Sequence, residues 1–124
     1  MPGFLATVLI CDDEPSLREL IRVSLAGPYE FLEADDGEES LEIARRVRPD
    51  VMILDMMMPR RTGLEVLTAI QDDDTLSDMA VIVLTAQPAT REEALREGAD
   101  VVMVKPFEPD QISAAVEEVL AERV

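Results

Sequence analysis

The sequence predicts an α/β fold: a single doubly wound, five-stranded parallel sheet with helices on both faces. Three observations carry that expectation. Short apolar runs recur along the chain, stretches of helical period separate them, and 124 residues suffice for one domain with a full core. Alternating strands and helices joined by right-handed crossovers place the strands parallel and the helices on the two sheet faces.

The first strand is read at Thr7 to Cys11. A helix follows, with Leu17, Leu20, Ile21 and Leu25 on one apolar face, Pro15 in its first turn and Gly27-Pro28 closing it. The run Tyr29 to Ala34 is interrupted by Glu30 and Glu33, so it is assigned to the sheet edge, where charge blocks unwanted pairing. Val51 to Leu54, Val81 to Leu84 and Val101 to Val104 are apolar throughout, as strands buried on both faces are. Thr62 with Glu65 and Thr90 with Glu93 both have capping-box spacing and open the helices that follow. Gly98 sits where a left-handed stop would end the second of these. Pro109 opens the last helix, whose apolar face is Ile112, Ala115, Val116, Val119 and Leu120. No repeat, linker or low-complexity segment divides residues 1–124, which read as one domain.

Composition removes several functions. With 11 basic residues against 27 acidic ones the formal charge is −16, which argues against a nucleic-acid groove or membrane surface as direct partner, since both need clustered Lys and Arg. One Cys and no His leave no disulfide frame, zinc site or His-based triad. No apolar run has the length of a membrane helix, and Met1 to Ala6 lacks the basic start and long apolar stretch of a signal peptide, so a cytoplasmic protein is expected.

In a doubly wound sheet the ligand site lies beyond the carboxyl ends of the strands. Those ends carry Asp12-Asp13-Glu14, Asp55, Thr85 and Lys105-Pro106. Together with Met58-Pro59, Gly63 and the run Lys105-Pro106-Phe107, they resemble the receiver domain of two-component response regulators over essentially the whole chain. The resemblance, to chemotaxis receivers among others, implies the flavodoxin-like strand order 2-1-3-4-5. If the first and third strands are neighbours, about 4.8 Å apart, three carboxylates converge. Two such charges at about 4 Å cost about 4 kcal/mol at an effective dielectric near 20, so a cation or a protonated acid is required. Hard oxygen donors favour Mg²⁺.

The resemblance further implies that Asp13 and Asp55 touch the metal directly, Asp12 through water, and Met57 through its backbone carbonyl. It makes Asp55 the phosphoacceptor, with Lys105 as a point charge and Thr85 as a hydroxyl donor for the phosphoryl oxygens. The donor is a phosphohistidine of a histidine kinase or phosphotransfer protein, because this chain holds no His. Such a receiver catalyses its own phosphorylation and dephosphorylation and signals to a downstream protein. The first helix, with Ser16 and Arg18, and the loop after Lys105 flank the site as the expected docking rim.

Other residues read as structural. Met56, Met57 and Met58 are assigned to packing, Cys11 to a buried apolar position, and Asp72-Asp73-Asp74 with Asp78 to a solvated loop at the opposite sheet end. A haloacid-dehalogenase-type hydrolase would need an acid at Met57, and a dinucleotide site would need glycine between Asp12 and Ser16. A degenerate receiver acting as a binding or dimerisation module remains the alternative, against which the intact Asp12, Asp13, Asp55, Thr85 and Lys105 speak. Two features depart from the family pattern: Val102 stands where an aromatic switch residue is usual, and the segment from Thr85 to Gly98 is short, so a short or displaced fourth helix is expected. With the last strand and helix ending near Val124, no output domain is expected in this chain, which is either free-standing or the receiver fragment of a larger transcriptional regulator.

Overall fold

The computed structural model describes residues 6–25 and 27–122. The strands are β1 (Ala6–Cys11), β2 (Tyr29–Ala34), β3 (Val51–Asp55), β4 (Ala80–Thr85) and β5 (Val101–Val104). The helices are α1 (Pro15–Ser24), α2 (Gly37–Val47), α3 (Gly63–Gln71), α4 (Arg91–Arg96) and α5 (Pro109–Ala121). All five strands are parallel, in the order β2-β1-β3-β4-β5. The order reverses between β1 and β3, where crossovers to either side leave a crevice at the carboxyl edge.

Side chains alternate along each strand, so the sheet fills two cores. Leu9, Cys11, Met52, Leu54, Val81 and Val83 pack with Leu41, Ala44, Leu67, Ile70 and Ala94 of α2, α3 and α4. Val8, Ile10, Ile53, Ile82 and Leu84 pack with Ile21 of α1 and with Ile112 and Val116 of α5. The central strands are apolar on both faces for this reason. β2 is an edge strand, and its Glu33 is held by Arg18 and Arg22 of α1.

Helix ends follow their chemistry. Pro15 and Pro109 stand in the first turns of α1 and α5. Thr62 forms a reciprocal capping box with Glu65 on α3. Asp36, which sequence reasoning passed over, caps α2 by accepting from the Glu39 amide at 2.8 Å. α4 is short, and Gly98 follows it with φ +105°.

Four expectations need correction. Thr90 does not cap α4: it ends a 3-10 turn (Pro88–Thr90) with φ −83° and ψ −5°, a helical conformation, and its hydroxyl is engaged in the preceding loop. Leu20 is not part of the buried face of α1 but 41% exposed, because the helix turns it toward the loop after Lys105. Met57 is 72% exposed, whereas Met56 and Met58 pack into the core. β5, expected to be buried on both faces, is the second edge strand of the sheet, with Val101, Val102 and Val104 only half-buried; Arg18, on the expected rim, donates to Glu33 and to the Asp12 carbonyl. The segment Met1 to Leu5, read above for a signal sequence, and Val124 lie outside the described residues.

Candidate functional site

β1 ends at Cys11, and the chain turns sharply into α1 through Asp12. One oxygen of Asp12, Oδ1, accepts the Glu14 amide at 2.9 Å, a side-chain turn that also points Pro15 into the helix. Arg18 reaches back from α1 and donates to the Asp12 carbonyl at 2.6 Å. The carboxyl group is thereby fixed with Oδ2 fully buried and, among the described residues, without a partner.

Next to it, β3 delivers Asp55. Residue Cys11 is level with Leu54 across the β1–β3 ladder, so Asp55 emerges one step beyond, beside Asp12. Asp55 is buried, and its Oδ1 accepts from Lys105 Nζ at 3.1 Å and from the Met57 amide at 3.3 Å. Lys105 follows β5 and is tied to β4 by its amide, which donates to the Thr85 carbonyl at 2.7 Å; its peptide bond to Pro106 is cis. Asp13 is exposed at the rim. Asp12, Asp13 and Asp55 each offer one carboxylate oxygen, all within 4.8 Å of one another.

Close packing under the pocket sets its depth. The Gly63 amide donates to the Met56 carbonyl at 2.9 Å, and a Cβ at Gly63 would lie 2.6 Å from the Asp55 carbonyl oxygen. Only glycine lets α3 start this close to the end of β3.

The electrostatics are those of a site built for a cation. Burial pushes the Asp12 carboxyl up to about 6, opposed by the Glu14 amide, and the Asp55 charge pushes in the same direction as burial against the opposing Lys105. A single ammonium faces three acids. The orphaned Oδ2 of Asp12 and the all-oxygen donor set fit a hard divalent ion, whose bound water would satisfy that oxygen and whose charge would offset the excess negative charge. Thr85 lies at the end of β4, one residue beyond the Leu84 that pairs with Asp55, and its hydroxyl is hydrogen-bonded within the following loop. The Met57 carbonyl belongs to the same β3–α3 turn whose amide meets Asp55.

An open parallel sheet with carboxylates and a lysine gathered at its switch point defines a phosphate- or metal-handling α/β protein. Comparison with known proteins narrows the class. The model of the response regulator receiver domain family matches residues 8–117. A probable transcriptional regulator, ycf27, of Guillardia theta is 44% identical over 117 residues, 91% of this chain and 44% of that protein. The phosphate regulon transcriptional regulatory protein PhoB of Pseudomonas aeruginosa is 36% identical over 118 residues, 92% of this chain and 51% of that protein. The chemotaxis protein CheY4 of Vibrio cholerae superposes with a TM-score of 0.83 at 35% identity, covering 92% of this chain and 98% of that one.

The chain belongs to the response regulator receiver domain family of two-component signalling. Its strand order is the one the resemblance implied. Receivers bind a divalent metal in an acidic pocket, and Asp12, Asp13 and Asp55 form an acidic cluster at the corresponding edge of this sheet. The chain spans about half the length of the curated relatives it matches, and those relatives are named as transcriptional regulators; the expectation of no direct nucleic-acid partner therefore has no support at the level of a whole regulator. Among the described residues no helix is long and apolar enough to cross a membrane.

Proposed function

We propose that residues 1–124 form one phosphoacceptor unit in which Asp55 takes a phosphoryl group from the phosphohistidine of a cytoplasmic histidine kinase or phosphotransfer protein. The observation that carries this reading is the buried Asp55 carboxylate with the Lys105 ammonium 3.1 Å from Oδ1, beside the unpartnered Oδ2 of Asp12. In the transfer, an Asp55 oxygen bonds to phosphorus while the donor's phosphorus–nitrogen bond breaks and its electron pair leaves with the imidazole. Water later cleaves the acyl phosphate.

Asp12, Asp13, Asp55 and the Met57 carbonyl hold Mg²⁺ in this reading, with Asp12 acting through water. The ion supplies positive charge against the phosphoryl oxygens. Lys105 orients Asp55 before transfer and offers its charge to a phosphoryl oxygen afterwards. The Met57 amide fixes the carboxylate plane, and Thr85 is placed to donate a hydroxyl proton to the transferred group. Burial of Asp55 keeps water sparse around the nucleophile.

A groove of about 450 Å³ between α1 and the loop after Lys105, lined by Ser16, Leu17, Leu20 and Phe107, supports docking of the donor protein on this rim. The half-length coverage of relatives named as transcriptional regulators favours a second, compatible reading: this receiver is the input segment of a longer regulator.

Asp55→Asn is expected to abolish labelling by a small acyl-phosphate donor, and removing Mg²⁺ from the wild type to do the same, both read by intact mass. Undiminished labelling of the variant would overturn the role of Asp55.

A further inference from the structure

The hydroxyl of Thr85 is already spoken for. Its oxygen accepts the Gln87 amide at 3.0 Å and lies 2.9 Å from the Thr90 hydroxyl oxygen. Thr90 in turn donates to the Gln87 carbonyl at 2.8 Å. A hydroxyl carries one proton. The Gln87 carbonyl is closer to the Thr90 hydroxyl, 2.8 Å, than to that of Thr85, 3.3 Å, which favours the Thr90 proton there; the hydrogen bond between the two threonines then uses the proton of Thr85, running Gln87 amide to Thr85, Thr85 to Thr90, Thr90 to the Gln87 carbonyl. Among the described residues the other outlet for the Thr85 proton, the Gln87 carbonyl at 3.3 Å, lies in the same loop.

Thr90 reaches this position because it closes a 3-10 turn and not a capped helix start, which brings its hydroxyl back over the end of β4. The short connection from Thr85 to α4 thus places a second hydroxyl where it competes for the first.

We propose that Thr90 is a positioning residue for Thr85: a hydroxyl latch that competes with the phosphoryl group for the Thr85 proton and so sets how readily the phosphorylated conformation forms. This rests on the proposed phosphorylation of Asp55. When phosphoryl oxygens arrive, the Thr85 hydroxyl must rotate away from Thr90, and the Thr90 oxygen, half-exposed, is left to water. Removing the latch removes that cost, and a single neutral hydrogen bond of this kind corresponds to about a two- to tenfold change in an equilibrium.

Affinity for beryllofluoride in the presence of Mg²⁺, followed by amide chemical shifts, tests the latch. Thr90→Val, which keeps the branched shape and loses the hydroxyl, is expected to bind about two- to tenfold more tightly, and Thr90→Ser, which keeps the hydroxyl, to bind as the wild type does. In a Thr85→Ala background Thr90→Val should change nothing, whereas a merely structural loss would act in both backgrounds. Unaltered affinity of Thr90→Val, or a gain that persists without the Thr85 hydroxyl, would overturn the latch while leaving the phosphoacceptor reading intact. A wild type that binds no beryllofluoride, or Asp55→Asn binding it equally well, would overturn that reading and the latch with it.

Discussion

At the scale of single residues, Asp12 illustrates how a site is prepared at the expense of the fold. Its carboxyl is raised from 3.8 to about 6, chiefly because burial disfavours the ionised form in the folded state. The folded state holds this proton more tightly than the unfolded chain, so the associated stability is fully present below about pH 4 and is lost as pH rises through about 6. In metal-free protein, Asp12→Asn is therefore expected to stabilise at pH 7 and to have little benefit at pH 4, in urea titrations at the two values. Divalent-ion affinity runs the other way, weakening below about pH 6 as the proton competes for the same oxygens. The individual residues of this cluster were legible in the sequence because acids at strand ends have few structural reasons to gather. The role of Arg18 was not: a cation on the third residue after Pro15 looks solvent-facing until the fold brings Glu33 and the Asp12 carbonyl to it.

Elements were legible to the extent that burial dictated composition. All five strands were read within a residue or so; for β1, β3 and β4 this is because a strand covered on both faces has few polar positions to blur its limits, and β2 was recognised as an edge by its two glutamates, of which Glu30 is exposed and Glu33 is paired with Arg18 and Arg22. Caps were less reliable. Thr62 and Thr90 have the same spacing to a glutamate, yet only Thr62 has the extended backbone, φ −70° and ψ 163°, that lets a side chain fold over the first turn. The start of α3 matters most for the site, since Gly63 sits against the backbone of Met56 and Asp55. Gly63→Ala would place a Cβ 2.5 Å from the Met56 Cα, which backbone must yield to. The expected result is a loss of about 1–3 kcal/mol in stability and weaker binding of divalent ions, the first by thermal melting and the second by calorimetry.

The whole molecule carries a charge of −16, and a phosphoryl group adds only about −1.5 to −2. Bulk charge is thus a poor messenger for the proposed phosphorylation, and the change expected of it is the local one between Thr85 and α4. Val102, half-buried against the α2–α4 core, has no ring to reorient, which leaves the loop hydroxyls as the movable polar groups next to the pocket. The positions of β1 and β3 side by side, on which the convergence of Asp12, Asp13 and Asp55 depends, could be inferred only through the resemblance, because strand order is set by crossover packing and leaves no local trace in composition.

One feature of the central strand offers a practical handle. Cys11 is fully buried, paired to Ala34 on one side and Leu54 on the other, and burial pushes its thiol up to about 12. At neutral pH the native protein should therefore be silent to maleimide, and reaction should require the sheet itself to come apart. The labelling rate becomes a clock for global opening, readable by mass in dilute buffer or cell extract. It is expected to slow when divalent ion is added, as binding lowers the population of opened chains.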